Sequence, residues 1–124
     1  MAITTQNPAN GETLKTFVAL DNTQIDTALQ QSSTASVGWA ATSIADRSVC
    51  LRRAAQQLRA QRDRYAALIT PEMAKPIREA RAEVEKCATG CEFYAQNAER
   101  FLADDVIATD GGKSFVTYQP LGTL

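Results

Sequence analysis

The alternation of apolar and polar residues predicts a long helix over residues 75–102. The small or apolar residues of this stretch recur every three or four positions, the spacing of one helical face. These residues are Ala80, Val84, Cys87, Ala88, Cys91, Tyr94, Ala95, Ala98 and Leu102. Charged side chains, Glu92 among them, occupy the opposite face, and Pro76 stands near the start, where its missing N–H costs no hydrogen bond. We therefore expect one face to be buried and the other to be solvated.

Two capping signals predict earlier helix starts. Asp21 is followed three residues later by Gln24, and Ser43 by Asp46, which is the spacing of the capping box. One helix is therefore expected from Asp21 to about residue 40, and a second from Ser43 onward.

The second helical stretch contains two predicted interruptions. The apolar rhythm falters at residues 61–63, so we expect a kink or a break there. Pro71 removes a backbone donor, so the segment is expected to end or restart near Thr70.

Both ends of the chain have strand patterns. Residues 2–5 and 12–20 flank an Asn-Pro and Asn-Gly turn, which predicts a hairpin. Residues 106–108 and 114–118 are rich in β-branched and aromatic residues and flank an Asp-Gly-Gly turn. The sequence thus predicts a mostly helical α/β chain with a hairpin at one end and a β arm at the other.

Composition narrows the class of protein. With 124 residues and a net charge of −1, the chain suits one soluble globular domain. It has no apolar run long enough for a membrane span and no signal-peptide pattern at its start, so we expect a cytoplasmic protein without a membrane partner. Histidine is absent, which removes the usual base near neutral pH and the commonest metal ligand.

Cys87 and Cys91 lie one helical turn apart and suggest a redox pair. Packing is the favoured interpretation, because both belong to the apolar face and cysteine there behaves as a small hydrophobe. We expect these thiols to be buried and to react only after denaturation. A redox sensor at Cys87 and Cys91 stays as an alternative.

The stretch from Arg47 to Arg64 contains six arginines and one aspartate, which raises a nucleic-acid interface as a hypothesis. Aromatic residues are nearly absent from it, so a solvated face or ion pairs to another part of a larger protein are favoured, and no nucleic-acid partner is expected. The glycines fit neither a P-loop nor a dinucleotide fingerprint. The residues alone indicate no recognisable active site.

Four segments, taken together, resemble the NAD(P)-dependent aldehyde dehydrogenase family. They are residues 7–12 (NPANGE), 72–80 (EMAKPIREA), 93–95 (FYA) and 114–122 (SFVTYQPLG). They occur in the family's order and separation, and the resemblance covers the whole chain. The overall sequence is most similar to the bacterial succinate-semialdehyde dehydrogenase-like members.

Two positions depart from the family pattern. The family usually has glycine where Ala74 stands, and it does not usually have Pro71. If Ala74 adopts a left-handed conformation, the strain is about 1 kcal/mol or more. Otherwise the local turn differs from that of the family.

The resemblance implies a division of roles. Residues 1–105 would be the hairpin and helices of the nucleotide-binding domain, and residues 106–124 the start of a bridging β arm used for homo-oligomer contacts. The family attacks an aldehyde with a cysteine thiolate, passes hydride from the thiohemiacetal to NAD or NADP, and hydrolyses the thioester. Its catalytic and cofactor-binding residues match no position here, and Leu124 does not resemble a natural end. We therefore expect the isolated chain to be inactive and to bind no cofactor.

Two minor sites follow from the resemblance. Ala82 and Lys86 match positions at the mouth of the substrate tunnel, where Lys86 would attract an acidic aldehyde or else be an ordinary solvated lysine. Glu72 and the backbone near Gln6 match ligands of a structural monovalent cation. A standalone helical interaction module without catalysis is the remaining alternative.

Overall fold

The computed structural model describes residues 2–124 and has two β-hairpins with four helices between them. The elements are β1 (Ala2–Gln6), β2 (Thr13–Val18), α1 (Asn22–Ala41), α2 (Ile44–Ala60), α3 (Arg62–Met73), α4 (Ile77–Phe101), β3 (Asp105–Ile107) and β4 (Ser114–Val116). The predicted order of elements is confirmed.

Each hairpin is a two-stranded antiparallel sheet. In the first, Ala2 pairs with Val18, and the register shifts between Thr5 and Gln6. Asn7 organises the turn, because its side-chain oxygen accepts from the N–H of Ala9 at 2.9 Å. Two strands are shorter than predicted, since β2 begins and ends inside residues 12–20 and residues 117–118 lie beyond β4. By contrast, β1 extends one residue further, to Gln6, and β3 is shifted by one residue toward the N-terminus.

The first capping box forms in full. The N–H of Gln24 donates to the Asp21 carboxylate at 2.8 Å, and the N–H of Asp21 donates to the Gln24 side chain at 2.9 Å. The second is only half formed. Ser43 Oγ accepts from the N–H of Asp46 at 3.0 Å, whereas the Asp46 carboxylate accepts from the Ser43 hydroxyl at 2.6 Å instead of from its backbone.

The predicted break at residues 61–63 is confirmed at Gln61, which separates α2 from α3 with φ −113° and ψ 22°. The prediction for Pro71 is wrong, since α3 continues through it to Met73. Proline at this position removes one hydrogen bond, the one to the carbonyl four residues earlier. That loss falls in the last turn, where the N–H of Lys75 still reaches the carbonyl of Thr70 at 3.1 Å.

The core lies where α2 and α3 pack against α4, and it is built from small side chains. Its apolar residues are Ala55, Ala66, Ala80, Val84, Ala88 and Ala95. Because alanine adds little width, the helices can approach closely, but each residue buries little apolar surface. Within residues 2–124 no large side chain is completely buried.

Helix α1 lies outside this core. All of its residues are described, and none is buried. Its apolar side chains, including Leu29 and Trp39, are therefore half exposed. The end of the chain approaches it, with Ser32 Oγ and Thr123 Oγ1 3.3 Å apart.

Ala74 adopts the left-handed conformation, with φ 50° and ψ 33°, and ends α3 with its N–H donating to the carbonyl of Thr70. It is the one residue other than glycine with positive φ in residues 2–124. The chain therefore keeps a turn that favours glycine while carrying a Cβ there.

We expect Ala74→Gly to raise the free energy of unfolding by about 0.5–1 kcal/mol. Removing the Cβ relieves about 1–2 kcal/mol of left-handed strain, which exceeds the entropic cost of glycine. Urea unfolding followed by circular dichroism measures the change. Ala67→Gly, inside the same helix, is the matched control and should lower stability by about 1 kcal/mol. Destabilisation by both substitutions would contradict the assignment of strain to Ala74.

Candidate functional site

Arg59 joins α2 to α4 through two carboxylates. Its Nη1 and Nη2 donate to the two oxygens of Glu92 at 2.5 and 2.9 Å, and its Nε donates to Glu85 at 2.8 Å. The fork of the guanidinium matches the carboxylate, so the contact fixes orientation as well as distance. Arg59 hydrogen bonding lowers the pKa of Glu92, while Glu92 and then Glu85 raise the pKa of Arg59.

Two more ion pairs extend this contact. Arg81 on α4 donates to Asp63 on α3 at 2.8 Å, and Lys75 pairs with Glu83. In the arginine-rich stretch from Arg47 to Arg64, Arg59 therefore forms ion pairs with acidic residues of α4. Glu92 keeps 36% of its side chain exposed, so it stays on the solvated side of α4, but α2 lies beside it and supplies the guanidinium.

An open groove runs beside the first half of α4, with a volume of about 630 Å³. It is lined by Lys75, Glu79, Ala82, Glu83, Lys86 and Cys87. Ala82 and Lys86 thus line one cavity, as their spacing of one helical turn requires.

The charges of the groove are not equally available to a ligand. Lys75 is neutralised by Glu83. Within residues 2–124 Lys86 forms no ion pair, and Glu79 forms none either. Lys86 and Glu79 are therefore the groove residues whose charges have no ion-pair partner within residues 2–124.

Gln6 and Glu72 lie on β1 and α3, two elements that pack against each other. Both residues are exposed. Their neighbourhood contains two buried hydroxyls, Thr5 Oγ1 and Thr70 Oγ1, that have no hydrogen-bond partner. Hard cations prefer oxygen ligands, and hydroxyl oxygens are of that type. In the described part of the chain no group of three His, Cys, Asp or Glu residues could hold a metal.

The cysteines differ from the expectation of buried thiols. Cys50 and Cys87 are exposed and Cys91 is half-buried, and all three are free. For Cys87 and Cys91 the reason is geometric: Ala80, Val84 and the alanines that follow at helical spacing are the buried residues of α4, while these two cysteines lie beside them.

The sequence pattern of the aldehyde dehydrogenase family matches residues 1–124, the whole chain. This chain belongs to the aldehyde dehydrogenase family. It is similar to a probable NADP(+) succinate-semialdehyde dehydrogenase from Synechocystis sp., with 45% identity over 124 residues. The match covers 100% of this chain and 27% of that aldehyde dehydrogenase relative.

Solved structures agree with the family assignment. The structure of Gox0499, described for its cofactor and substrate selection, aligns with a TM-score of 0.91 at 30% identity over 98% of this chain and 27% of its own. The succinic semialdehyde dehydrogenase from Streptococcus pyogenes, in complex with NADP+, aligns with a TM-score of 0.84 at 30% identity over 92% of this chain and 25% of its own. The predicted aldehyde dehydrogenase-like α/β fold is confirmed, and the chain spans about a quarter of these relatives.

Sequence reasoning missed the Arg59 contact in this aldehyde dehydrogenase chain. Glu85 and Glu92 are seven residues apart and so lie on one side of α4. Two carboxylates on one side of a helix indicate that a cationic side chain could bind both, but the spacing does not identify which arginine does so. No helix within residues 2–124 combines the length and apolar character needed to cross a bilayer.

The Glu92 contact predicts a loss of stability in acid. Since the folded pKa of Glu92 lies below its ordinary value of 4.5, the pair stabilises the chain above pH 4.5 and the contribution disappears as pH falls through the folded pKa. We expect Glu92→Gln to unfold more easily than the parent at pH 6 and to approach it as pH falls through the folded pKa of Glu92. Urea midpoints across this range measure the difference. Glu99→Gln on the same helix is the control, and a gap independent of pH would contradict the assignment.

Proposed function

We propose that this chain is the N-terminal helical part of an enzyme that oxidises an aldehyde to a carboxylate with NAD(P)+ through a cysteine thiohemiacetal. The family match over residues 1–124 carries the proposal. The Synechocystis and Streptococcus pyogenes relatives are named for succinate semialdehyde and NADP, which favours a semialdehyde as substrate and NADP as cofactor.

The contribution of the chain is scaffold. Its core and the Arg59 contact hold α2, α3 and α4 together, and the exposed apolar side chains of α1 offer a surface to further structure. We propose that none of its three cysteines is the nucleophile and that it alone binds no NAD or NADP. The division into residues 1–105 and 106–124, homo-oligomer contacts through the β arm and a cytoplasmic location remain predictions.

A chimera tests the proposed activity. Residues 1–124 would replace the segment that they match in the Synechocystis relative, which shares 45% identity. We expect the chimera to form NADPH from succinate semialdehyde, measured by cofactor fluorescence, and the isolated chain to form none. The intact relative is the positive control. A folded but inert chimera, or turnover by the isolated chain that a substitution in its own residues abolishes, would contradict the proposal.

We propose further that Lys86 favours acidic aldehydes at the mouth of the tunnel, beside Ala82. Its ammonium is unpaired within residues 2–124 and lines the groove described above. Such a charge raises the local concentration of an anion, and salt screens it.

In the chimera, Lys86→Gln should raise KM for succinate semialdehyde about two- to fivefold and leave KM for the uncharged aldehyde butanal unchanged. Steady-state kinetics at low and high salt measure both, and the difference should shrink at high salt. Lys15→Gln, which removes an equal charge from β2, is the matched control. Equal effects of Lys86→Gln on both aldehydes would identify an ordinary surface lysine.

We also propose that Glu72, the backbone near Gln6 and the orphaned hydroxyls beside them hold a structural monovalent cation. Support comes from their oxygen chemistry and from the packing of β1 on α3. Further ligands would be needed to complete the shell.

A further inference from the structure

A second cavity, separate from the Lys86 groove, lies between the end of α1, the start of α2 and the end of α4. Its volume is about 470 Å³. Its walls are mainly apolar, from Trp39, Ile44, Leu51, Ala54 and Leu102. Two polar residues, Arg47 and Ser48, also line it.

The guanidinium of Arg47 has no counterion in this cavity. Arg47 is half-buried, and its Nε is buried without a hydrogen-bond partner. Its guanidinium forms no ion pair within residues 2–124. Ser48 beside it is only 5% exposed. A buried donor left unsatisfied is costly, and a charged one more so.

Arg59, on the same helix, shows what such a guanidinium requires. It binds two carboxylates through all three of its nitrogens. Arg47 has the same donors and a hydroxyl neighbour but no acid. By comparison with Arg59, a carboxylate is the group that would pair with Arg47.

The rim decides which kind of carboxylate fits. Trp39 is 50% exposed and Leu102 is 44% exposed, so exposed apolar surface lies around the guanidinium of Arg47. A small carboxylate would satisfy Arg47 and leave that rim in water. An acidic side chain flanked by apolar residues covers both.

We propose that the cavity receives an Asp or Glu side chain, with apolar neighbours, from a part of the aldehyde dehydrogenase outside residues 2–124. This inference rests on the proposed function, because it requires the chain to belong to the longer enzyme. The chain covers 27% of the Synechocystis relative, so most of such an enzyme is available to supply the acid.

The test compares the 124-residue chain with the chimera described above. In the chimera, Arg47→Met should lower the thermal midpoint by several degrees, because it leaves the incoming carboxylate unpaired. In the chain alone the same change should leave the midpoint unchanged or raise it, because an unpaired buried donor is removed. Arg53→Met, exposed on the same helix, is the matched control and should be neutral in both.

Chemical labelling keeps the inference testable if the Arg47→Met chimera fails to fold. Phenylglyoxal modification, mapped by mass spectrometry on the unsubstituted proteins, should label Arg47 and Arg53 in the chain alone and only Arg53 in the chimera. Equal labelling of Arg47 in both proteins would overturn the inference. So would a destabilisation by Arg47→Met that is the same in both.

Other outcomes separate this inference from the proposed function. If light scattering shows that the chain alone self-associates and Arg47→Met abolishes it, the occupant is a second copy and the inference is wrong. A folded, inert chimera with Arg47 protected would contradict only the proposed function. An active chimera with Arg47 reactive would overturn only the inference.

Discussion

The structure depends on the close contact between α4 and the pair α2 and α3, whose fully buried apolar residues are small. Apart from Val84, the buried apolar residues are alanines, and each contributes little hydrophobic free energy. Small side chains also give few constraints on how helices slide along one another. The ion pairs of Arg59 with Glu92 and of Arg81 with Asp63 supply that constraint, because they join particular positions on different helices.

This thin core has consequences for everything around it. No side chain of α1 is buried within residues 2–124, and the guanidinium of Arg47 has no counterion there. Groups of this kind are expected in a chain whose surfaces are completed by further structure. The groove with Lys86 lies beside α4, the helix that also forms the core with α2 and α3. One helix therefore both holds the scaffold together and presents the candidate substrate contact.

The helices and strands could be predicted from interactions between residues close in sequence, but the packing between these elements could not. Asp21 with Gln24 marks the start of α1 because capping involves residues three apart. Pro71 was misjudged because its cost depends on how many turns of helix follow it. Cys87 was wrongly predicted to be buried, and the partner of Glu92 was not foreseen, because periodicity identifies a helix face without showing how much of it the neighbouring helices cover. The roles of Ala82, Lys86, Gln6 and Glu72 came from family resemblance alone.

Amide hydrogen exchange on the 124-residue chain and on the chimera would test most directly whether the chain is a scaffold completed by other parts of the enzyme. The account predicts slow exchange in α2, α3 and α4 in both proteins, because their contacts lie within the chain. It predicts fast exchange in α1 in the chain alone and slow exchange there in the chimera. Equal protection of α1 in both proteins would contradict the account.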